Sequence, residues 1–245
     1  MAKSIMITGA SSGLGEGMAR HLAKRGHRLA LCARRRDRLD KLAAELASLP
    51  GGAPVVEELD VTDYASVPVV MDRVAKKLGG IDVVIANAGI AINTPIGKGR
   101  FDDVRRTIET NVLGAIATIE AAVELFRKQG GGHVVGISSV AAARGMKGQG
   151  AYSASKAALS RYLESLRAEV LRDNIRVTDL APGYIDTDLN RSIPNRPFLV
   201  TAERGTEIIA DNIENGVGFR YVPAWPWTVV AQILKILPTK AIARM

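Results

Sequence analysis

The apolar positions of this chain fall into short, nearly unbroken runs separated by longer stretches with helical spacing. Residues 4–8, 28–33, 55–58, 81–86, 133–137, 176–181 and 219–222 are mostly rich in Val, Ile, Leu and Ala. They read as strands, and in most of them the lack of alternation marks burial on both faces. Residues 13–25, 37–48, 65–78, 102–128, 151–172 and 201–215 read as helices between them. Strand–helix alternation predicts an α/β fold, a doubly wound parallel sheet of about seven strands with right-handed crossovers and helices on both faces. At 245 residues, one large domain spanning 1–245 is expected rather than two small ones. Ligands on such a sheet bind beyond the carboxyl ends of the strands, so the residues that end each strand carry the functional information.

Strand one ends in Thr8-Gly9-Ala10-Ser11-Ser12-Gly13-Leu14-Gly15 and runs straight into a helix. Glycines there let the backbone turn sharply and approach a diphosphate, to which the helix offers unpaired N–H groups. Strand two ends at Ala33, followed by Arg34-Arg35-Arg36. A site for NAD usually has an acid here to grip the ribose 2′-hydroxyl, whereas arginine pairs with a 2′-phosphate. NADP(H) is therefore the expected cofactor, read by Arg34 and Arg35, with Arg36 assigned to a solvated helix start. Tyr152 and Lys156 stand four apart and project from one helix face. A phenol titrates near ~10 when free, and a neighbouring ammonium brings it into a useful range for proton transfer. By itself this pair is also compatible with an ordinary exposed helix pair. Strand five ends in Ile137-Ser138-Ser139, where a hydroxyl can donate to a developing alkoxide. Strand four ends in Asn87-Ala88-Gly89, whose small residues leave room against the sheet, and strand six ends in Ala181-Pro182-Gly183. Asn111 interrupts the helical stretch 102–128 as either a satisfied buried amide or a functional one.

Taken together, and in this order and spacing from Ser4 to about Thr187, these residues resemble the short-chain dehydrogenase/reductase family. The resemblance implies a Rossmann-type fold in which Tyr152 exchanges the proton and Ser139 orients the substrate oxygen, with Ser138 structural. It implies that Lys156 holds the nicotinamide ribose and lowers the tyrosine pKa, and that Asn111 anchors a relay water. Asp60 and Val61 would flank the adenine, and Ile185 and Thr187 would hold the carboxamide. The remaining cofactor contacts implied are Gly9, Ser11, Ser12, Gly13, Leu14, Gly15, Asn87, Ala88, Gly89, Pro182 and Gly183. Ser12 occupies a position often basic in NADP-using relatives, and Ala86 replaces an asparagine often found before Asn-Ala-Gly. Residues 184–203 would close the substrate pocket opposite 144–150. Ile193, Pro194, Pro197, Phe198 and Leu199 make that lid apolar and favour a lipophilic carbonyl or alcohol. A rival reading keeps the fold as an NADP-binding sensor without turnover, but a protein of that kind has no need of Asn111, Ser139, Tyr152 and Lys156 together.

Composition changes this picture little. The formal charge of +8 admits a cofactor phosphate, an acidic partner or an anionic surface. With four Phe, two Trp and no helix-turn-helix or zinc-ligand spacing, nucleic acid is not expected, and no metal site is proposed. The single cysteine, Cys32, and a start with no long apolar leader point to the cytoplasm. A homodimer or homotetramer is expected. In the tail, residues 225–237, Val230, Ile233, Leu234 and Leu237 recur on one helical face. That face suits packing on the enzyme or on a second subunit. The paired tryptophans and Lys235, Lys240 and Arg244 suit peripheral membrane contact through 225–245.

Overall fold

A computed structural model describes all residues except Ser192 and Met245. The chain runs β1 (Ser4–Thr8), α1 (Gly13–Lys24), β2 (Arg28–Ala33), α2 (Arg36–Leu46), β3 (Val55–Glu58), α3 (Ser66–Leu78) and β4 (Val83–Ala86). It continues through α4 (Phe101–Ile108), α5 (Ala115–Gln129), β5 (Gly132–Ile137), α6 (Gly150–Glu169) and β6 (Ile175–Pro182). The last elements are α7 (Ala202–Asn215), β7 (Phe219–Val222), α8 (Ala224–Ile236) and α9 (Thr239–Ile242). The strands form one sheet in the order β3-β2-β1-β4-β5-β6-β7. All six pairings are parallel. This is the Rossmann-type architecture, with its order reversing between β1 and β4.

Each face of the sheet has its own core. Met6 and Val134 point into one with Met71 of α3, Phe126 of α5 and Leu163 of α6. Their strand neighbours Ile7 and Val135 point into the other with Met18 of α1, Leu39 of α2 and Ile209 of α7. Burial on both faces is why these strands are continuously apolar.

Three features depart from the sequence reading. The helix expected over 102–128 is broken into α4 and α5 by a π-helical turn, Glu109–Gly114, centred on Asn111. Widened turns of this kind occur most often at functional positions. A short 3₁₀ turn, Val140–Ala143, follows β5, and α9 follows α8; neither was anticipated. The tail helix is present, but its buried face is Trp227, Ala231 and Leu234, and Ile233, expected inside, is 47% exposed. The rotation is set by Trp227, whose indole lies over Gly183, so close that a Cβ there would be 2.0 Å from Nε1.

Candidate active site

The glycine loop between β1 and α1 is drawn against the end of β4. Gly9 has φ +68°, and a Cβ on it would meet Ala88 Cα at 2.8 Å. Asn87 Nδ2 donates to the Thr8 carbonyl at 2.9 Å, while the Asn87 and Ala88 amides donate to Thr8 Oγ1. Gly15 allows α1 to start beneath Gly9, whose carbonyl would be 2.3 Å from any Cβ. Ser12 sits at the N-cap of α1 without a capping hydrogen bond, which leaves that helix end suited to an anion. Leu14 packs at the edge of the core. Across the loop, Thr187 comes within 3.6 Å of the Cβ direction of Gly13. Ile185 is different: its side chain is buried against Gly205, which leaves only its main chain for a ligand.

The two arginines after β2 behave differently. Arg35 folds back on the loop and donates to Ser11 Oγ at 3.0 Å and to Ser12 Oγ at 2.6 Å. Arg34 stays exposed, 3.7 Å from Asp60 Oδ2. Asp60 accepts from both the amide and the hydroxyl of Thr62; these bonds and Arg34 outweigh burial and hold its carboxyl below the usual range. Arg36 pairs with Asp40 one turn on, a surface contact as expected. Val61 is buried under Gly114 of the π turn.

The third group lies beyond β4 and β5. Asn111 is fully buried; Oδ1 accepts from the Ile90 amide and Nδ2 donates to the Ile90 carbonyl and Ser155 Oγ. Lys156 Nζ donates to the Ile137 carbonyl at 2.8 Å and lies 5.9 Å from the Tyr152 ring centroid. A Cβ on Gly89 would sit 3.3 Å from Asn111 Oδ1 and 3.5 Å from Lys156 Nζ, so these groups surround one small space. Burial pushes Lys156 down to about 8, with Asp179 opposing the shift. Tyr152 is partly buried, and desolvation raises its phenol, against which the Ser139 hydroxyl acts; the lowering expected from Lys156 is not seen, because its ammonium is turned to the Ile137 carbonyl. Ser139 Oγ accepts from the Ala141 amide and makes only a long, 3.4 Å contact to the Pro182 carbonyl. Ser138, by contrast, is engaged inside the fold: it donates to Asp179 Oδ1 at 2.5 Å and to the Leu180 carbonyl.

Two buried residues beside the site escaped the sequence reading. Asp179 on β6 is 2% exposed and receives hydrogen bonds from Ser138 and from Ser160 of α6. It borders a cavity of about 270 Å³ that opens behind Ser139. Trp227 is the other, stacked edge-on with Tyr184 and Phe198 at centroid distances of 5.8 and 5.7 Å. The segment expected as a lid is closed at its base by an Ile185–Val200 bridge and an Asp186–Arg196 ion pair, and Ser192 within it lies outside the described residues. On the opposite wall Arg144 donates to the Lys235 and Leu237 carbonyls at the end of α8.

Residues 3–197 match the family model described as short chain dehydrogenase. The chain belongs to the short-chain dehydrogenase/reductase family. It is 43% identical to an uncharacterized oxidoreductase of Mycobacterium tuberculosis over 99% of this chain and 96% of that one. It is 34% identical to the NADP-dependent 3-hydroxy acid dehydrogenase of Schizosaccharomyces pombe, covering 86% and 79% of the two chains. Among solved structures, an alcohol dehydrogenase of Thermococcus sibiricus complexed with 5-hydroxy-NADP superposes with a TM-score of 0.81. That match has 30% identity and covers 91% of this chain and 95% of the other. The protein is thus an oxidoreductase of this family, on a fold that carries nicotinamide cofactors.

Proposed function

We propose that the chain moves a hydride between NADP(H) and the carbonyl or alcohol carbon of a lipophilic small molecule, with Tyr152 exchanging the proton. The observation that carries the reading is the gathering of Ser139, Tyr152, Lys156 and Asn111 beside the glycine loop, at the carboxyl edge of β4 and β5. The residues present fit the dinucleotide. Gly9 and Gly15 make a cradle that a Cβ would fill, the first turn of α1 is open to a diphosphate, and Arg34 and Arg35 after β2 offer guanidinium groups to a 2′-phosphate. When bound, the nicotinamide supplies or accepts the hydride.

The protein's own groups do the rest. Ser139 Oγ can donate to the substrate oxygen, because the Pro182 carbonyl, to which it otherwise donates, is 3.4 Å away. Tyr152 delivers its proton to that oxygen as charge builds up on it. The Lys156 ammonium stabilises the phenolate left behind, and Asn111 holds the polar path beneath it. Tyr184, Phe198 and Trp227 form an aromatic wall that excludes water and suits an apolar substrate body. The same reading includes a cytoplasmic setting, supported by a lone buried cysteine, and a homodimer or homotetramer.

Two measurements test it. Tyr152→Phe should bind NADPH normally and lose nearly all carbonyl reduction; Ser139→Ala should be severely impaired and Ser138→Ala much less so. Arg34→Ala and Arg35→Ala should each weaken NADPH about ten- to a hundredfold, the loss of one charge-assisted contact, and leave NADH almost unchanged. Equal affinity of the wild type for NADPH and NADH would overturn the cofactor assignment, and turnover by Tyr152→Phe would overturn the proton donor.

A further inference from the structure

Helix α8 is held by one face only. Trp227, Ala231 and Leu234 are buried, and at 3.6 residues per turn Val229, Ile233 and Ile236 lie diametrically opposite. Those three are 46, 47 and 82% exposed, and Trp225 at the head of the helix is 75% exposed. A surface helix ordinarily turns polar residues to water; here Thr228, Gln232 and Lys235 supply a polar flank, and the outermost row is apolar. Single exposed apolar residues need no explanation, but a row along two turns, continued by exposed Trp225, marks a contact surface.

The charge around this row selects its partner. From Asn215 to the end the chain contains Arg220, Lys235, Lys240 and Arg244 and not one Asp or Glu. The nearby Glu164, which shares a groove with Gln232 and Lys235, is paired with Arg161. A second copy laid helix against helix would therefore bring like charges together with no carboxylate of this segment to meet them. We propose that the outer face of α8 docks on an anionic lipid bilayer, the helix lying in the interface with Val229, Ile233 and Ile236 inward. Trp225 then sits at headgroup depth, and Lys235, Lys240 and Arg244 meet the lipid phosphates. The helix lies on the bilayer and does not cross it; no helix among the described residues is long and apolar enough to span one. Because Phe198 rests on the inner side of the same helix, through Trp227, docking brings the apolar lid beside the lipid. The proposal does not depend on which substrate is reduced.

The test is flotation of the full-length protein with vesicles of phosphatidylcholine alone and of phosphatidylcholine mixed with phosphatidylserine. Binding to the mixed vesicles and not to the neutral ones is expected. Ile233→Glu and Ile236→Glu should lower partitioning by roughly tenfold or more without changing the melting temperature, since both side chains are exposed. Lys240→Gln should lower it about fivefold, as one surface charge is lost. Tryptophan emission should shift to the blue on adding mixed vesicles, and the shift should vanish in Trp225→Phe. Failure of the wild type to float, or flotation of the Ile233→Glu and Lys240→Gln proteins as complete as that of the wild type, overturns the proposal. So does a dimer in solution that Ile233→Glu dissociates, which would assign the face to a second copy.

Discussion

Asp179 receives one serine from each of the two elements assigned to catalysis. Ser138 immediately precedes Ser139, and Ser160 continues the helical face of Tyr152 and Lys156, so the carboxylate ties β5 to α6 at the site. Burial raises its pKa while the two serines and Lys156 pull it down, and it favours the charged form of Lys156 in return. Asp179→Asn keeps the shape and removes the charge. Lys156 then loses its proton at lower pH, and under the proposed mechanism, in which the ammonium stands beside the phenol, turnover should fail earlier on the alkaline side. We expect the alkaline limb of kcat/KM to move down relative to the wild type, with activity at pH 8 reduced roughly two- to tenfold and NADPH affinity little changed. An unmoved limb would refute the coupling. At this scale the sequence singled out Tyr152, Lys156, Ser139 and Asn111, through their places at a strand end or on a helix and through the family resemblance, and the fold brings them to one end of the sheet. It did not disclose Asp179, which lies in an apolar run and is explained only by the parallel register that sets it opposite Gly136. Nor did it show that Arg35, more than Arg34, folds onto the glycine loop.

Among the elements, strand positions were legible because burial on both faces leaves an unambiguous apolar run. Helix boundaries were less so. The π turn is invisible to a 3.6-residue period, since it depends on the main chain at Ile90 reaching the Asn111 amide and on Val61 packing against Gly114. The rotation of α8 was misread for a similar reason: periodicity offers two apolar faces, and only the contact of Trp227 with Gly183 chooses between them. That contact makes a prediction. Gly183→Ala places a methyl group on the indole and should destabilise the protein by about 1–3 kcal/mol and slow turnover, because the end of β6 shifts with the lid. Adding Trp227→Ala should recover part of the loss. Urea unfolding of the two single variants and the double variant measures the coupling, and strict additivity would show that the clash is relieved elsewhere.

For the whole molecule, acid is the expected weakness. His133 on β5 is buried, donates through Nε2 to Thr178 Oγ1, whose own proton goes to the Val217 carbonyl, and is pushed down to about 3 by desolvation. Its folded pKa lies below its unfolded value of 6.5, so between pH 6.5 and 3 the unfolded chain takes up a proton that the native chain refuses. Stability is fully present above 6.5 and falls on acidification through that window, on the order of 5 kcal/mol for a shift of this size. Urea midpoints at pH 7 and pH 4.5 should separate widely for the wild type and much less for His133→Gln; equal separation would exclude His133 as the cause. The strand order has a further consequence, one concerned with synthesis. β1 is made first yet ends in the middle of the sheet, and its anchor at Asp82 lies 78 residues downstream of Ser4. At ~5–20 residues per second a ribosome needs about 4–16 s to supply that partner. For that interval one edge of an apolar strand waits unpaired, which makes the nascent first half of this chain a natural client for holding chaperones.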